Sequence, residues 1–340
     1  MSTLRKTLGA LAAVALLGSA LSACGSSKDD AAANSNCKSV QKVNFGYIGD
    51  FNGTSLLAIA KDQGLWAKNC LDVTTKVFTD GPTQITALGT GDLDFGYIGP
   101  GALWLPAEGK AQIVSLDTFT NADRIVAYPG RGITSLQDLK GKKVGYPAGT
   151  SGEMILRLGL KSVGLTMKDI DAVSMNYTTL TSALAAGQVD AAGIGYPQLA
   201  TAMKAQPKIQ ELAKDSDFSS SFRFPTAFVA QPDLSTKKPA LVKAVVATLK
   251  EANDYRYQHE DEAIKDVADY NKLDVADVKA DAQYDQLEPS SFFEQHSQNG
   301  DVDKWLSAFN TYFTQVGTLT STPKDPSTYY TSDLYVGAGK

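Results

Sequence analysis

The chain has 340 residues, 43 % of them hydrophobic, with 32 basic against 37 acidic side chains and a formal charge of −5. That length supports one large or two medium domains, and an acidic balance without a basic tract argues against a nucleic-acid partner. Two histidines and three cysteines leave little for metal or nucleophilic chemistry, and the cysteine spacing fits no metal-site pattern.

Arg5 and Lys6 precede an apolar run from Leu8 to Ala20 that closes with Leu21-Ser22-Ala23-Cys24. A cationic start, a short apolar run and small residues before the cut describe an export signal over 1–23, too short for a membrane span. Residues 24–40 read as a tether, since 25–36 show no apolar periodicity; loss of Arg5 and Lys6 would take the charge from −5 to −7. Cys37 and Cys70 each precede a strand, and adjacent parallel strands begin close together. Outside the cytoplasm these two cysteines are expected to form a disulfide.

The body alternates strand and helix signals. Val43–Ile48 reads as a strand, with a helix from Leu56 to Trp66, a strand Leu71–Phe78, a short helix near Pro82–Leu88 and a strand Leu93–Ile98. Arg124–Pro129 reads as a first crossover. Val144–Tyr146, a helix Ser151–Val163, a strand Ala172–Tyr177, a helix Thr181–Ala186 and a strand Val189–Ile194 follow. Phe224–Ala230 reads as the return crossover. Ala240–His259, Asp261–Tyr270, Val275–Leu287 and Val302–Val316 then carry helical periodicity. The alternation predicts an α/β chain with mostly parallel sheets flanked by helices. Lobe 1 is expected over 41–125 and 223–340, lobe 2 over 126–222, joined by two hinge crossovers.

One pattern occurs twice. Ala87-Leu-Gly-Thr-Gly91-Asp-Leu-Asp94-Phe-Gly-Tyr-Ile98-Gly99-Pro100 returns 96 residues later as Ala183-Leu-Ala-Ala-Gly187-Gln-Val-Asp190-Ala-Ala-Gly-Ile194-Gly195-Tyr196-Pro197, and Gly53-Thr54-Ser55 returns at the same offset as Gly149-Thr150-Ser151. Two lobes built alike place a cleft between them. Ligands of open α/β sheets bind outside the carboxyl ends of the strands, where helix N-termini offer unpaired N–H groups suited to an anion. The candidate ligand contacts are Asp50, Asn52, Gly53, Thr54, Tyr97, Gly99, Pro100, Gly101, Thr150, Ser151, Gly152 and Tyr196. Thr150 and Glu153 also fit a capping box, so helix capping competes with ligand binding for the same atoms.

Gly91-Asp-Leu-Asp-Phe-Gly-Tyr-Ile-Gly, Leu136-Gln-Asp-Leu-Lys-Gly-Lys-Lys-Val, the turn at 149–151 and Ala183-Leu-Ala-Ala-Gly-Gln-Val-Asp-Ala together resemble the nitrate/sulfonate/taurine-type solute-binding proteins of ABC importers, over roughly 42–205. Leu21–Cys24 resembles the lipobox of bacterial lipoproteins. The resemblance implies a type II periplasmic-binding-protein fold, a small solute, a permease with its ATPase, and a lipid on Cys24 holding a monomer at the membrane. It implies a small organic anion, first an alkanesulfonate or taurine; nitrate, a thiamine-precursor pyrimidine or an aromatic acid are alternatives. An extracellular transferase and a tethered sensor or adhesin are the readings from other classes. No cofactor or metal is expected. His259 and His296 fall outside the motifs and read as surface residues. Arg124 and Arg223 lie near the crossovers, where hinge salt bridges compete with an anion for them.

Overall fold

The computed structural model describes residues 37–219 and 222–340; the expected export signal and Cys24 lie outside the described residues. The chain first lays down β1 (Gln41–Ile48), β2 (Leu71–Phe78), β3 (Phe95–Ile98) and β4 (Gln112–Thr120). It passes to a second sheet of β5 (Asp123–Ala127), β6 (Lys143–Tyr146), β7 (Asp171–Ser174), β8 (Ala191–Gly195) and β9 (Gln210–Lys214). It returns with β10 (Pro225–Ala230) and β11 (Asp285–Gln286). The strand orders are β11-β4-β10-β3-β1-β2 and β7-β6-β8-β5-β9. From β2 to β4 the first order matches the second from β7 to β9, place for place. Two lobes of like topology are the result.

The sheets are mixed rather than mostly parallel. β1 pairs in parallel with β2 and β3, and β6 with β7 and β8, while β10 and β5 run antiparallel to both neighbours. The reason lies in the crossovers. A strand arriving from the other lobe enters its sheet at the end where the other strands finish, so it must run against them. Asp123–Ala127 therefore lies wholly in the second sheet, and the first passage between sheets is only residues 121–122. β4 and β9 have no counterpart in the sequence reading.

Other boundaries moved for local reasons. The first helix runs Phe51–Asp62, five residues ahead of the expected start, because Asp50 caps it by accepting from the Gly53 N–H at 2.7 Å. The segment expected as one helix over Val275–Leu287 stops at Ala282. Asp285 and Gln286 pair instead with Thr120 and Phe119 on β4, and the Thr118 hydroxyl donates to the Gln286 carbonyl at 2.5 Å. Ser290–Gln298 is a helix that the sequence reading lacks.

The repeated motif has a structural function in both copies. Gly91 and Gly187 end their helices with φ of 82° and 67°, a conformation that costs glycine least. Asp94 then accepts from the Asn44 N–H on β1 at 2.9 Å, and Asp190 accepts from the Lys143 N–H on β6 at 3.0 Å. Each aspartate ties the start of its strand to the neighbouring one.

Phe45, Phe95 and Phe228 meet at the centre of the first lobe's core, with ring centroids 5.5 and 5.8 Å apart around Phe45. The second sheet is covered on both faces: Ile125 faces one apolar cluster and Val126 the other, the alternation of a strand buried on both sides. Below the first lobe's cleft edge lies a buried ion pair. Arg256, on the helix Pro239–Gln258, donates to Asp117 Oδ1 at 2.7 Å, Asn253 Oδ1 at 2.6 Å and Ser55 Oγ at 2.9 Å. Thr226 donates to the other Asp117 oxygen at 3.1 Å.

Cys37 and Cys70 form the expected disulfide, with Cα atoms 5.6 Å apart across a sequence separation of 33. It clips the start of β1 to the start of β2, where Gln41 pairs with Leu71. Closing a loop of that length is worth about 3–4 kcal/mol on the chain-entropy model.

Candidate functional site

The lobes face one another across a small cavity lined by residues of both. Its walls come from the cleft ends of the strands, as the sheet topology requires. On the first lobe they are Ile48 and Asp50 after β1, Thr79–Pro82 after β2, Tyr97, Gly99 and Pro100 at β3, and Thr226 at β10. On the second they are Asp123 at the start of β5, Thr150 and Ser151 after β6, Tyr177 after β7, and Gly195 and Tyr196 after β8. Antiparallel β5 and β10 contribute their first residues because those are the ends that reach the cleft.

Of the expected contacts, Asp50, Asn52, Tyr97, Gly99, Pro100, Thr150, Ser151 and Tyr196 line this cavity. Gly53, Thr54, Gly101 and Gly152 do not. The Gly-Thr-Ser echo is not structurally equivalent in the two lobes: Thr150 is the N-cap of Ser151–Ser162, whereas Gly53 to Ser55 lie inside their helix behind its cap, Asp50. Thr54 is fully buried, donates to the Ile48 carbonyl at 3.3 Å and accepts from Asn271 at 2.9 Å. Gly101 is where the lobes touch. A Cβ there would lie 2.2 Å from the Ser151 nitrogen, so glycine is required for the approach.

Three of the backbone donors expected to hold an acidic group are engaged within the protein, and none of these three residues lines the cavity. The Gly53 N–H donates to Asp50, the Gly101 N–H to Ser151 Oγ at 3.2 Å, and the Gly152 N–H to Thr150 Oγ1 at 3.3 Å. The Phe51 N–H donates to Asp281 Oδ2 at 2.7 Å. Asp80 caps the helix Gly81–Thr90 through the Thr83 N–H at 2.9 Å. The N-termini at Phe51 and Gly81 thus carry their own carboxyls, whereas that at Ser151 is capped by the neutral Thr150 hydroxyl.

Five aspartates, 50, 80, 123, 281 and 285, line the cavity, with no lysine, arginine or histidine among the lining residues. Burial, followed by repulsion from Asp281, pushes the carboxyls of Asp50 and Asp285 well above the usual range. Burial takes Asp281 up to about 6, against the pull of the Phe51 N–H. Asp123 is also raised by burial, partly offset by Arg124, and Asp215 beside it is raised by burial and by Asp123. Asn52 is 5 % exposed; its amide donates to Asp285 at 2.5 Å, while its Oδ1 is buried with no partner. The lining is thus rich in carboxyls, most of them pushed toward the protonated form by burial.

Arg124 lies behind this lining. Its Nε is 2.8 Å from Glu211, too poorly aligned for a hydrogen bond but close enough for an ion pair, and its Nη1 donates to the Asn121 carbonyl at 2.7 Å. Arg223 lies over the rings of Phe119 and Trp305, at 5.1 and 5.3 Å, and makes no salt bridge among the described residues. His259 is exposed, whereas His296 is half-buried with its Nδ1 2.8 Å from Asp301; neither borders the cavity. On one rim Tyr196 stacks on Tyr284 at 4.2 Å, and on the other Trp104 Nε1 donates to the Gly149 carbonyl at 3.3 Å. The lobes therefore touch on both sides of the cavity.

Asp80 was legible: an Asp-Gly-Pro run after a strand is an N-cap at a cleft edge, by the same rule that finds Asp50 and Thr150. Asp281 and Asp285 were not, because nothing local to them shows that their segment folds back to β4.

The NMT1/THI5 like family model matches residues 52–263. A putative binding protein of Brucella abortus (strain 2308) is 43% identical over 293 residues, covering 86% of this chain and 91% of that protein. The taurine-binding periplasmic protein of Escherichia coli (strain K12) is 24% identical over 222 residues, 63% of this chain and 67% of that protein. Among solved structures, the alkanesulfonate-binding protein SsuA from Xanthomonas axonopodis pv. citri bound to MOPS shares the fold, with a TM-score of 0.71 at 23% identity over 86% of this chain and 99% of that one.

Proposed function

The chain belongs to the NMT1/THI5 like family, and from that premise we propose that it is the extracytoplasmic receptor of an ABC importer. It captures a small organic solute between its lobes and presents the closed form to a permease and its ATPase, without turnover. Cys24 carries the lipid that holds it at the membrane. Expressed in a lipidating host, the Cys24→Ala protein should leave the membrane fraction; its retention there would count against the anchor.

The five-aspartate lining supports one solute class over the others. Against an anion, each lining carboxyl that ionises costs about 4 kcal/mol at 4 Å and an effective dielectric of about 20. A helix N-terminus returns only about 0.3–2 kcal/mol, and those at Phe51 and Gly81 are already capped by Asp50 and Asp80. A protonated nitrogen reverses the sign of that interaction. Among the solutes implied by the sequence resemblance, the lining therefore favours those with a basic nitrogen, taurine with its ammonium group or an aminopyrimidine, over nitrate and simple alkanesulfonates.

A thermal-shift screen at pH 7.5 tests this with taurine, 4-aminopyrimidine, butylammonium, butanesulfonate and nitrate. A solute at 100 times its Kd adds about 2.7 kcal/mol, several degrees for a chain of this size. The nitrogen bases or taurine should raise the melting temperature. If only butanesulfonate or nitrate does so, the basic-nitrogen reading is wrong.

A further inference from the structure

A second cavity adjoins the first. Asp50, Tyr196 and Asp281 line both. Past these three residues the walls turn apolar: Val267, Leu273 and Val278 from the first lobe face Pro197 and Ala200 from the second. Val267 and Val278 are buried, while Leu273 remains 47 % exposed at the edge. On the rim Lys204 of the second lobe holds both Asp277 oxygens of the first, at 2.8 and 2.9 Å. Each lobe supplies one wall, so the compartment is complete only while the lobes are together.

We propose that this compartment is a subsite for an alkyl arm of the same solute, whose basic nitrogen sits among Asp50, Asp281 and Asp285. The inference rests on the basic-nitrogen reading above. Three features point to this occupant. The compartment is continuous with the polar cavity through Asp50, Tyr196 and Asp281. Its apolar walls offer water few partners. The exposed Lys204–Asp277 pair ties its two walls together at the outer edge. The solute class is then a primary or secondary ammonium bearing a short alkyl chain.

Titration calorimetry of the full exported protein with n-alkylammonium ions from propyl to hexyl tests the subsite. Affinity should tighten about fourfold for each added methylene, the transfer free energy of a buried CH₂. In Ala200→Trp, whose indole would fill the compartment, the series should be flat while propylammonium binds as before. Leu273→Asp, at an exposed position that a polar residue tolerates, should flatten it in the same way. Unchanged chain-length gain in both variants, or a flat series in the unaltered protein, overturns the subsite and leaves the basic-nitrogen reading standing. Failure of every ammonium ion to bind, with a sulfonate binding normally, overturns both.

Discussion

Asp285→Asn should weaken binding of an ammonium-bearing solute at least thirtyfold and, in the same protein, raise the melting temperature of the unliganded form. The two effects have one origin. Asp285 shares its cavity with Asp50 and Asp281, and its carboxyl is raised by burial and by their charges. Without solute, three buried carboxyls must protonate or repel, so removing one relieves the fold. With solute, the missing carboxylate is a lost partner for a desolvated cation, a loss of about 2–5 kcal/mol. Calorimetry and melting curves on the one variant measure both. Weaker binding together with a lower melting temperature would mean that Asp285 is a structural residue and not part of a charge trap.

The same carboxyls set the pH dependence. Asp281 is raised to about 6, and Asp50 and Asp285 are raised too, so from about pH 4 upward the native state binds more protons at these sites than the unfolded chain does. Their contribution to stability is full below the unfolded pKa and is lost as pH rises through the folded values. Asp301, held down to about 2 by Lys304 and His296, has the opposite sign, but its contribution is lost only as pH falls below 4. The unliganded protein should therefore be more stable at pH 5 than at pH 8 through this cluster. An ammonium ion must expel the cluster's protons to bind, so its affinity should rise across the same interval. Tighter binding at pH 5 than at pH 8 would rule out the mechanism.

Arg256→Met should cost about 3–5 kcal/mol of stability in urea denaturation, the effect expected when one partner of a buried ion pair is removed. Arg256 and Asp117 are both fully buried, and Asp117 would keep only the hydrogen bond from Thr226. Burial already raises the Asp117 carboxyl, and Arg256 is the main force opposing that rise. Adding Asp117→Leu to Arg256→Met should recover most of the loss, because a well-packed apolar pair is often as stable as the ion pair it replaces. If the single variant loses less than about 1 kcal/mol, Asp117 is neutral in the native protein and the pair is not what holds this floor in place.

The two-lobed plan and the cleft edge were legible because their signals are local. Alternation marks β2, an apolar run marks β1, and Gly91, Gly187, Asp94 and Asp190 mark the same helix end and strand start in each lobe. The Gly-Thr-Ser echo misled because three small residues satisfy two different positions, a cap at Thr150 and a helix interior at Thr54. Val275–Leu287 misled because its periodicity is helical throughout, yet the open edge of β4 draws Asp285 and Gln286 into a sheet.

What the sequence by itself determined is where the cleft lies, since strand ends and helix caps depend on residues a few positions apart. The tertiary structure alone decided its charge. Asp123, Asp281 and Asp285 reach the cavity from a crossover strand and from a segment more than 200 residues after β1, and Asp281 meets the Phe51 N–H there. Neither fact has a local signature, because both depend on which distant groups the closed fold brings within hydrogen-bonding distance.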